Sequence, residues 1–275
     1  MQRADLSIVG IGIRGVSEIT PETERILRRS TEIFYMDPRP IVSRYFNKVN
    51  RNSHNLLKRY KENRKAYDVY EELSSLVINS ALKKPGACYA TYGNPMIYDT
   101  ITQLILQKAI SRRLKVEIVP AVSALDSVLV DLRLPILDEG LQIFEANRLV
   151  LHRQRIESSV PCLIFGVGSF GTVIITIGRR STEKRYLLLE KHLRQFYPST
   201  HPIHLVESSL HPHMRNRITK TMMNRLGKMY KRINYNTTLY IPPVPKAKYI
   251  DRDFDSKIHS TRWTSKIVGD SGTGR

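Results

Sequence analysis

Between residues 6 and 119, short β-branched runs alternate with longer stretches of helical spacing. "LSIVG" gives way to "TPETERILRRS", then "TEIFYMD", a long amphipathic stretch, "GACYATYGNP", "MIYDTITQLILQKAISRR" and "KVEIVP". Strands separated by helices pair in parallel, because a parallel partner must be reached by a crossover. This half of the chain therefore predicts a parallel sheet with helices on its faces. The first helix is well signalled. Thr20 is placed to cap it, Pro21 takes the first position, acids fill the first turn and arginines the last. "PRPIVSRYFNKVN" reads as a short helix, and a long one is expected over about 63–83, where Leu73, Leu76, Val77 and Leu82 recur near helical spacing.

After Pro120 the pattern restarts. "AVSALDSVLVDLRL" reads as a helix and "SSVPCLIFGVGSFG" holds a strand, with strand-like "TVIIT" behind it. "STEKRYLLLEKHLRQFY" is a helix capped by Ser181 or Thr182, "HPIHLVESS" a strand, "MRNRITKTMMNRLGKMY" a basic helical or mixed segment, and "TTLYIPPVP" a strand ended by prolines. A chain of 275 residues accommodates two such α/β domains. The expected division is 1–120, then 121–250, with a flexible basic tail over 251–275, where periodicity stops and Gly and Ser close the chain.

Charge narrows the partners. Lys and Arg exceed Asp and Glu by 44 to 25, a net +19 with a pI near 10.0. The excess thickens at 44–65, 179–194, 215–232 and from Lys246 onward. Such a field favours an anionic partner, nucleic acid included, and a solvated basic surface with no specific partner stands beside it. No apolar run is long enough to span a bilayer and no secretion signal opens the chain. Cys88 and Cys162 lie far apart in apolar runs, as buried thiols of a reduced, cytoplasmic protein would. His201 with His204, and His211 with His213, lack a third ligand, so no metal is expected.

Gly10, Gly12 and Gly15 match G-x-G-x-x-G, with Asp37 near the place of a ribose-binding acid. The dinucleotide fingerprint requires its third glycine in the opening turn of a helix, whose amides face the phosphate. Here the helix is signalled only at Thr20–Pro21. A second match at Gly166, Gly168 and Gly171 runs into β-branched residues. Both fail the same test, which leaves the glycines as tight turns where backbone approaches another ligand.

Several stretches together resemble the tetrapyrrole methylase superfamily, whose members use S-adenosylmethionine. These are "LSIVGIGIRGVSEITPETERILRRSTEIFYMDP", "YATYGNPMIY" at the Y-G-[HDN]-P loop, and "VEIVPAVSALDSVLVDLRLP" at the P-G-[VI]-S-A segment, with Ala121 for the usual glycine. "LDSVLVDLRLPILDEGLQIFEANRLVL", "TTLYIPP" and the pair Tyr60 and Tyr70 are similar to the borosin-type peptide backbone α-N-methyltransferases. The resemblance covers about residues 6–248. It implies two α/β domains with the methyl donor in a cleft between them, a homodimer, and a helical clamp at about 55–83 that reaches the partner subunit. It places donor contacts at Tyr92, Asn94, Ile97, Ser123, Ala124, Gly166, Thr237 and Thr238, and catalysis at Tyr70 and Tyr92. The branch usually shows glutamine at Gly166 and an arginine at Ala66, for which Arg64 or Lys65 would substitute. Standalone members act on a separate precursor peptide.

A backbone amide nitrogen is a poor nucleophile, because its lone pair is delocalised into the carbonyl. Tyr70 or Tyr92 would serve as general base if a cation such as Arg64 favoured phenolate, since tyrosine ordinarily titrates at about 10. The bland readings are a packing role for each tyrosine, a helix cap for Ser123 and ordinary strand positions for Thr237 and Thr238. Glu145 is either a structural carboxylate or a cleft residue. Peptide backbone nitrogen is the expected acceptor. RNA, favoured by the +19 charge, and a tetrapyrrole stand as alternatives, as does an inactive basic binding module.

Overall fold

A computed structural model describes residues 4–176, 181–246 and 250–268. Arg179 and Arg180 of the second basic cluster, and the tail from 269, lie outside them. The first sheet is built from β1 (Leu6–Gly10), β2 (Glu32–Tyr35), β3 (Ser53–Asn55), β4 (Ala87–Thr91) and β5 (Val116–Val119). It is wholly parallel, in the order β3-β2-β4-β1-β5. β1 and β4 are buried at every position, as strands covered on both faces must be.

Strand alternation sorts the side chains into two cores. Leu6, Ile8, Phe34, Ala87 and Tyr89 face α3 (Ala66–Lys83) and α4 (Thr100–Ser111) through Leu73, Val77, Ile101 and Ile105. Val9, Ile33, Tyr35, Cys88 and Ala90 face α1 (Pro21–Arg29) and α2 (Pro40–Val49) through Ile26, Leu27, Val42 and Phe46. The first helix starts as its sequence signals it. Thr20 accepts a hydrogen bond from the Thr23 amide at 3.1 Å, with Pro21 at the first position. Thr20→Ala is expected to destabilise the fold by about 1 kcal/mol in urea unfolding.

The second sheet joins β6 (Gln142–Glu145), β7 (Cys162–Phe165), β10 (Thr238–Ile241), β8 (Pro202–Glu207) and β9 (Arg217–Met222) in that order. Only β6 and β7 are parallel. Val128 of α5 (Ala124–Leu132) packs with Leu163, Val206 and Tyr240 on one face. α6 (Ala146–Leu151) and α7 (Glu183–Leu193) bury Leu149, Tyr186, Leu189 and Leu193. Both sheets belong to one compact unit, Met1–Pro243.

Two local expectations change. "TVIIT" has strand composition but joins neither sheet. Its backbone instead pairs with the segment before α3: Asn63 donates to Ile175, Ile175 to Arg64, and Ala66 to Val173. Tertiary pairing, rather than sheet membership, satisfies its peptide groups. The stretch after 250, read as aperiodic, carries α8 (Arg252–Ile258) and α9 (Thr261–Ile267) in a separate unit, Val244–Arg275. Side-chain caps at Asp251 and Ser260 start them, and an Asp253–Lys257 pair one turn apart supports the first.

Candidate active site

Three loops converge at the carboxyl ends of the first sheet. The Gly93 amide donates to the Gly12 carbonyl at 3.0 Å, pairing the loop after β1 with the loop after β4. A β-carbon on Gly10 would stand 2.5 Å from the Gly93 oxygen and 2.7 Å from the Ala121 β-carbon, so glycine is required for this approach. The Asn94 side chain ties two of the loops, donating to the Ala121 carbonyl at 3.2 Å and accepting from the Met96 amide at 2.9 Å.

The same geometry disposes of the dinucleotide reading on physical grounds. The amides of Ile13 and Arg14, which a pyrophosphate would need, donate to the Glu18 carboxylate at 2.7 and 3.0 Å. The chain has filled its own anion site. Asp37 is fully buried and receives Arg39 through backbone and guanidinium, so it offers nothing to a ribose.

Several side chains that the resemblance assigns to the donor are committed elsewhere. Ser123 caps α5 in a reciprocal box with Asp126. The Thr237 hydroxyl accepts from the Asn234 amide at 2.9 Å, and Thr238 is a buried strand residue paired with Val206. Ala124 opens α5. The side chains of Ser123 and Thr237 are thus spent on backbone, while Val122 in the loop after β5 is exposed.

Arg39 is the cation that the sequence did not reveal. Its guanidinium lies 5.8 Å from the centre of the Tyr92 ring. It donates to the Ile13 carbonyl at 3.0 Å and to the Leu210 carbonyl, beyond β8, at 2.9 Å. Hydrogen bonds to Asp37 keep it charged. Burial pushes the Tyr92 hydroxyl up to about 12, against the opposing pull of Arg39.

Tyr70 belongs to a second group. Its ring is 6.0 Å from Tyr60, and its electrostatic neighbours are Tyr60, Asp99 and Tyr235. Burial raises both Tyr60 and Tyr70. Arg64 does not serve this group: it donates to Glu72 at 2.9 Å and, with Arg59, holds that carboxyl below its usual range. Lys65 is exposed and joins Ile174 through its backbone. Tyr70 and Tyr92 are therefore neutral phenols at neutral pH, suited to donate hydrogen bonds rather than to remove protons. The cause is desolvation at Tyr70, and desolvation that outweighs Arg39 at Tyr92.

Gly166 follows β7 with φ +71, in the left-handed region. A β-carbon there would clash with the Tyr98 hydroxyl and stand 2.9 Å from Glu145 Oε1. Glu145 has the structural role that the sequence left open. Its carboxylate starts α6, accepting from the amides of Asn147 and Arg148 at 3.0 and 2.7 Å, and it borders Gly166. Tyr98, Tyr235 and Arg39 escaped sequence reasoning. Only Asp99 left a signal, as the cap that precedes "TITQLIL".

The raised tyrosines have a pH consequence. Their protonated form is favoured by folding, so their contribution is intact below the ordinary value of about 10 and is lost as pH rises through it toward about 12 at Tyr92 and Tyr98. Stability is expected to fall across that interval, with late phenolate absorbance in an alkaline titration. Full tyrosine ionisation at about pH 10 without unfolding would contradict this.

The tetrapyrrole (corrin/porphyrin) methylase family model matches residues 5–215, more than half of the chain. This chain belongs to that family. The cofactor of the methylase is S-adenosylmethionine, the donor that the family uses. Glycine at position 10 lets the loops after β1, β4 and β5 approach one another at the carboxyl ends of the first sheet, the end at which open parallel sheets take such ligands. Solved structures share the fold. Uroporphyrin-III C-methyl transferase from Thermus thermophilus, complexed with S-adenosyl homocysteine, superposes with a TM-score of 0.58 at 16% identity, over 88% of this chain and 92% of that one. A conserved hypothetical protein from Aeropyrum pernix K1 gives 0.62 at 16% identity, over 89% of this methylase and 86% of that chain.

Curated relatives are more specific. The methyltransferase/ribosomally synthesized cyclic peptide gymnopeptides precursor of Gymnopus fusipes is 23% identical over 244 residues, 88% of this methylase and 58% of that protein. The corresponding omphalotin A precursor of Omphalotus olearius is 24% identical over 249 residues, 90% and 60% respectively. The chain thus spans about three-fifths of the length of these two relatives.

Proposed function

We propose that this methylase transfers the methyl group of S-adenosylmethionine to backbone amide nitrogens of a peptide supplied as a separate chain. The observation that carries the reading is the likeness, over nearly nine-tenths of this chain, to proteins whose names join a methyltransferase to a ribosomally synthesized peptide precursor.

The donor supplies an electrophilic methyl group when bound. The backbone of the loops after β1, β4 and β5, with Tyr92 and Ile97 as walls, would hold it. Holding donor and acceptor in line supplies much of the acceleration. The remaining obstacle is amide resonance. It is overcome when the nitrogen's proton passes to solvent and the negative charge left on the carbonyl oxygen of the imidate is stabilised by a hydrogen bond. Tyr70 is suited to that task, because its raised hydroxyl stays protonated and donates to the amide oxygen. The Tyr60 ring packs beside it. The exposed Tyr67 and Leu82 on α3 support a clamp onto a second copy, hence a homodimer. Among the described residues no helix is long and apolar enough to cross a membrane.

The net charge of +19 favours one rival acceptor, RNA. Incubation with labelled donor and three acceptors, a peptide, RNA and uroporphyrinogen, separates the readings. Mass increments of one methyl group on peptide backbone nitrogens are expected. Label confined to RNA or to the tetrapyrrole would overturn the peptide assignment, and label on none of them would favour an inactive binding module.

A further inference from the structure

Tyr98 is the strangest residue of the site. It has φ +58, a conformation that a bulky L-residue adopts only under constraint. The residue as a whole is 54% exposed, yet its hydroxyl occupies the notch left by Gly166, beside Glu145 and Ser169. One ring face stacks on Phe165, the last residue of β7, with centroids 6.2 Å apart and planes 25° from parallel.

The anchorage is rigid at both ends. Glu145 is fixed by its two amide hydrogen bonds at the start of α6. On the other side, Ile97 precedes Tyr98, and Asp99 follows it as the cap of α4, bonded to the amides of Ile101 and Thr102. The loop over 92–99 carries Tyr92, Asn94 and Ile97. It belongs to the first sheet's half of the molecule, and through Tyr98 it is fastened to β7 of the second.

We propose that Tyr98 and Gly166 are a matched pair that sets affinity for the methyl donor. Tyr98 is a positioning residue that holds the 92–99 loop across the cleft, and Gly166 is the absence of side chain that gives its hydroxyl a seat. The geometry makes the two mutually dependent. Any side chain at 166 evicts the Tyr98 hydroxyl from Glu145, and the loop then loses its hold on the second sheet. The inference rests on the donor lying in this cleft and is independent of the acceptor.

The test is calorimetric titration with S-adenosylhomocysteine, with urea unfolding of the ligand-free proteins alongside. Tyr98→Phe keeps the ring on Phe165 and removes the hydroxyl, so its dissociation constant is expected to rise about tenfold. Gly166→Ala should weaken binding at least as much. In a Tyr98→Ala background the same alanine should add little, because the hydroxyl it would displace is already gone. Tyr98→Phe should lose only the stability of one hydrogen bond and stay folded during the titration, so that its weaker binding is not a loss of fold. Wild-type affinity in Tyr98→Phe, or effects of Tyr98→Ala and Gly166→Ala that simply multiply, would overturn the pairing. No binding by the wild-type protein would instead overturn the placement of the donor, and the pairing with it.

Discussion

Tyr70→Phe is expected to lower the rate of methyl transfer about 100-fold, the usual consequence of losing one hydrogen-bond donor to a developing oxyanion. The ring of Tyr70 packs beside Tyr60 and the α3–α4 core, and phenylalanine preserves that contact. The hydroxyl alone is lost. Affinity for S-adenosylhomocysteine should change little, because Tyr70 is assigned to the acceptor rather than to the donor. The informative pair of measurements is single-turnover rate and donor affinity. A rate within experimental error of wild type would make Tyr70 a packing residue. A parallel loss of donor affinity would move it to the donor wall. Raising the pH to about 10 should not restore the variant, because the group removed acts as a donor and not as a base.

Asp37→Ala is expected to destabilise the protein by about 3 kcal/mol, within the range for breaking a buried ion pair. Asp37 is fully buried, and Arg39 is only 20% exposed. Removing the carboxylate leaves the guanidinium without its partner in a site that water barely reaches. The damage should spread, because Arg39 also holds the Ile13 and Leu210 carbonyls, which lie in different halves of the molecule. The single tryptophan, Trp263, lies in the other unit, Val244–Arg275, and so is not a direct probe of this site. Far-ultraviolet circular dichroism is the suitable probe. A loss below about 1 kcal/mol would show that the pair is worth no more than a surface one. Arg39→Ala provides the complement. It removes the cation from Tyr92 and leaves Asp37 buried without it, so a loss of similar size is expected.

The first sheet was legible because its signals are local and redundant. Thr20 and Pro21 announce a helix, and strand alternation in "LSIVG" and "ACYAT" sorts side chains onto two helical layers. Two strands, one in each sheet, were harder to read. "QIFE" and "SHN" are too short and mixed to show as strands, and they become β6 and β3 only because a neighbouring strand accepts their hydrogen bonds. "TVIIT" fails in the opposite sense: it has the composition of a strand, but its partner is the coil before α3.

At the site the division is sharper. The sequence by itself determined that glycines and small residues occur where strands end, that Thr20–Pro21 comes too late for a dinucleotide helix, and that the motifs follow methylase order. Only the tertiary structure decided what each polar group does. Glu18 fills the amide nest, Ser123 and Thr237 are spent on backbone, Arg64 goes to Glu72, and Arg39 takes the place beside Tyr92. The reason is physical. A turn or a helix cap is a contract between residues a few positions apart, which spacing reveals. A hydrogen bond such as Arg39 to Leu210 joins groups 171 positions apart, and it exists only once two sheets have folded against one cleft.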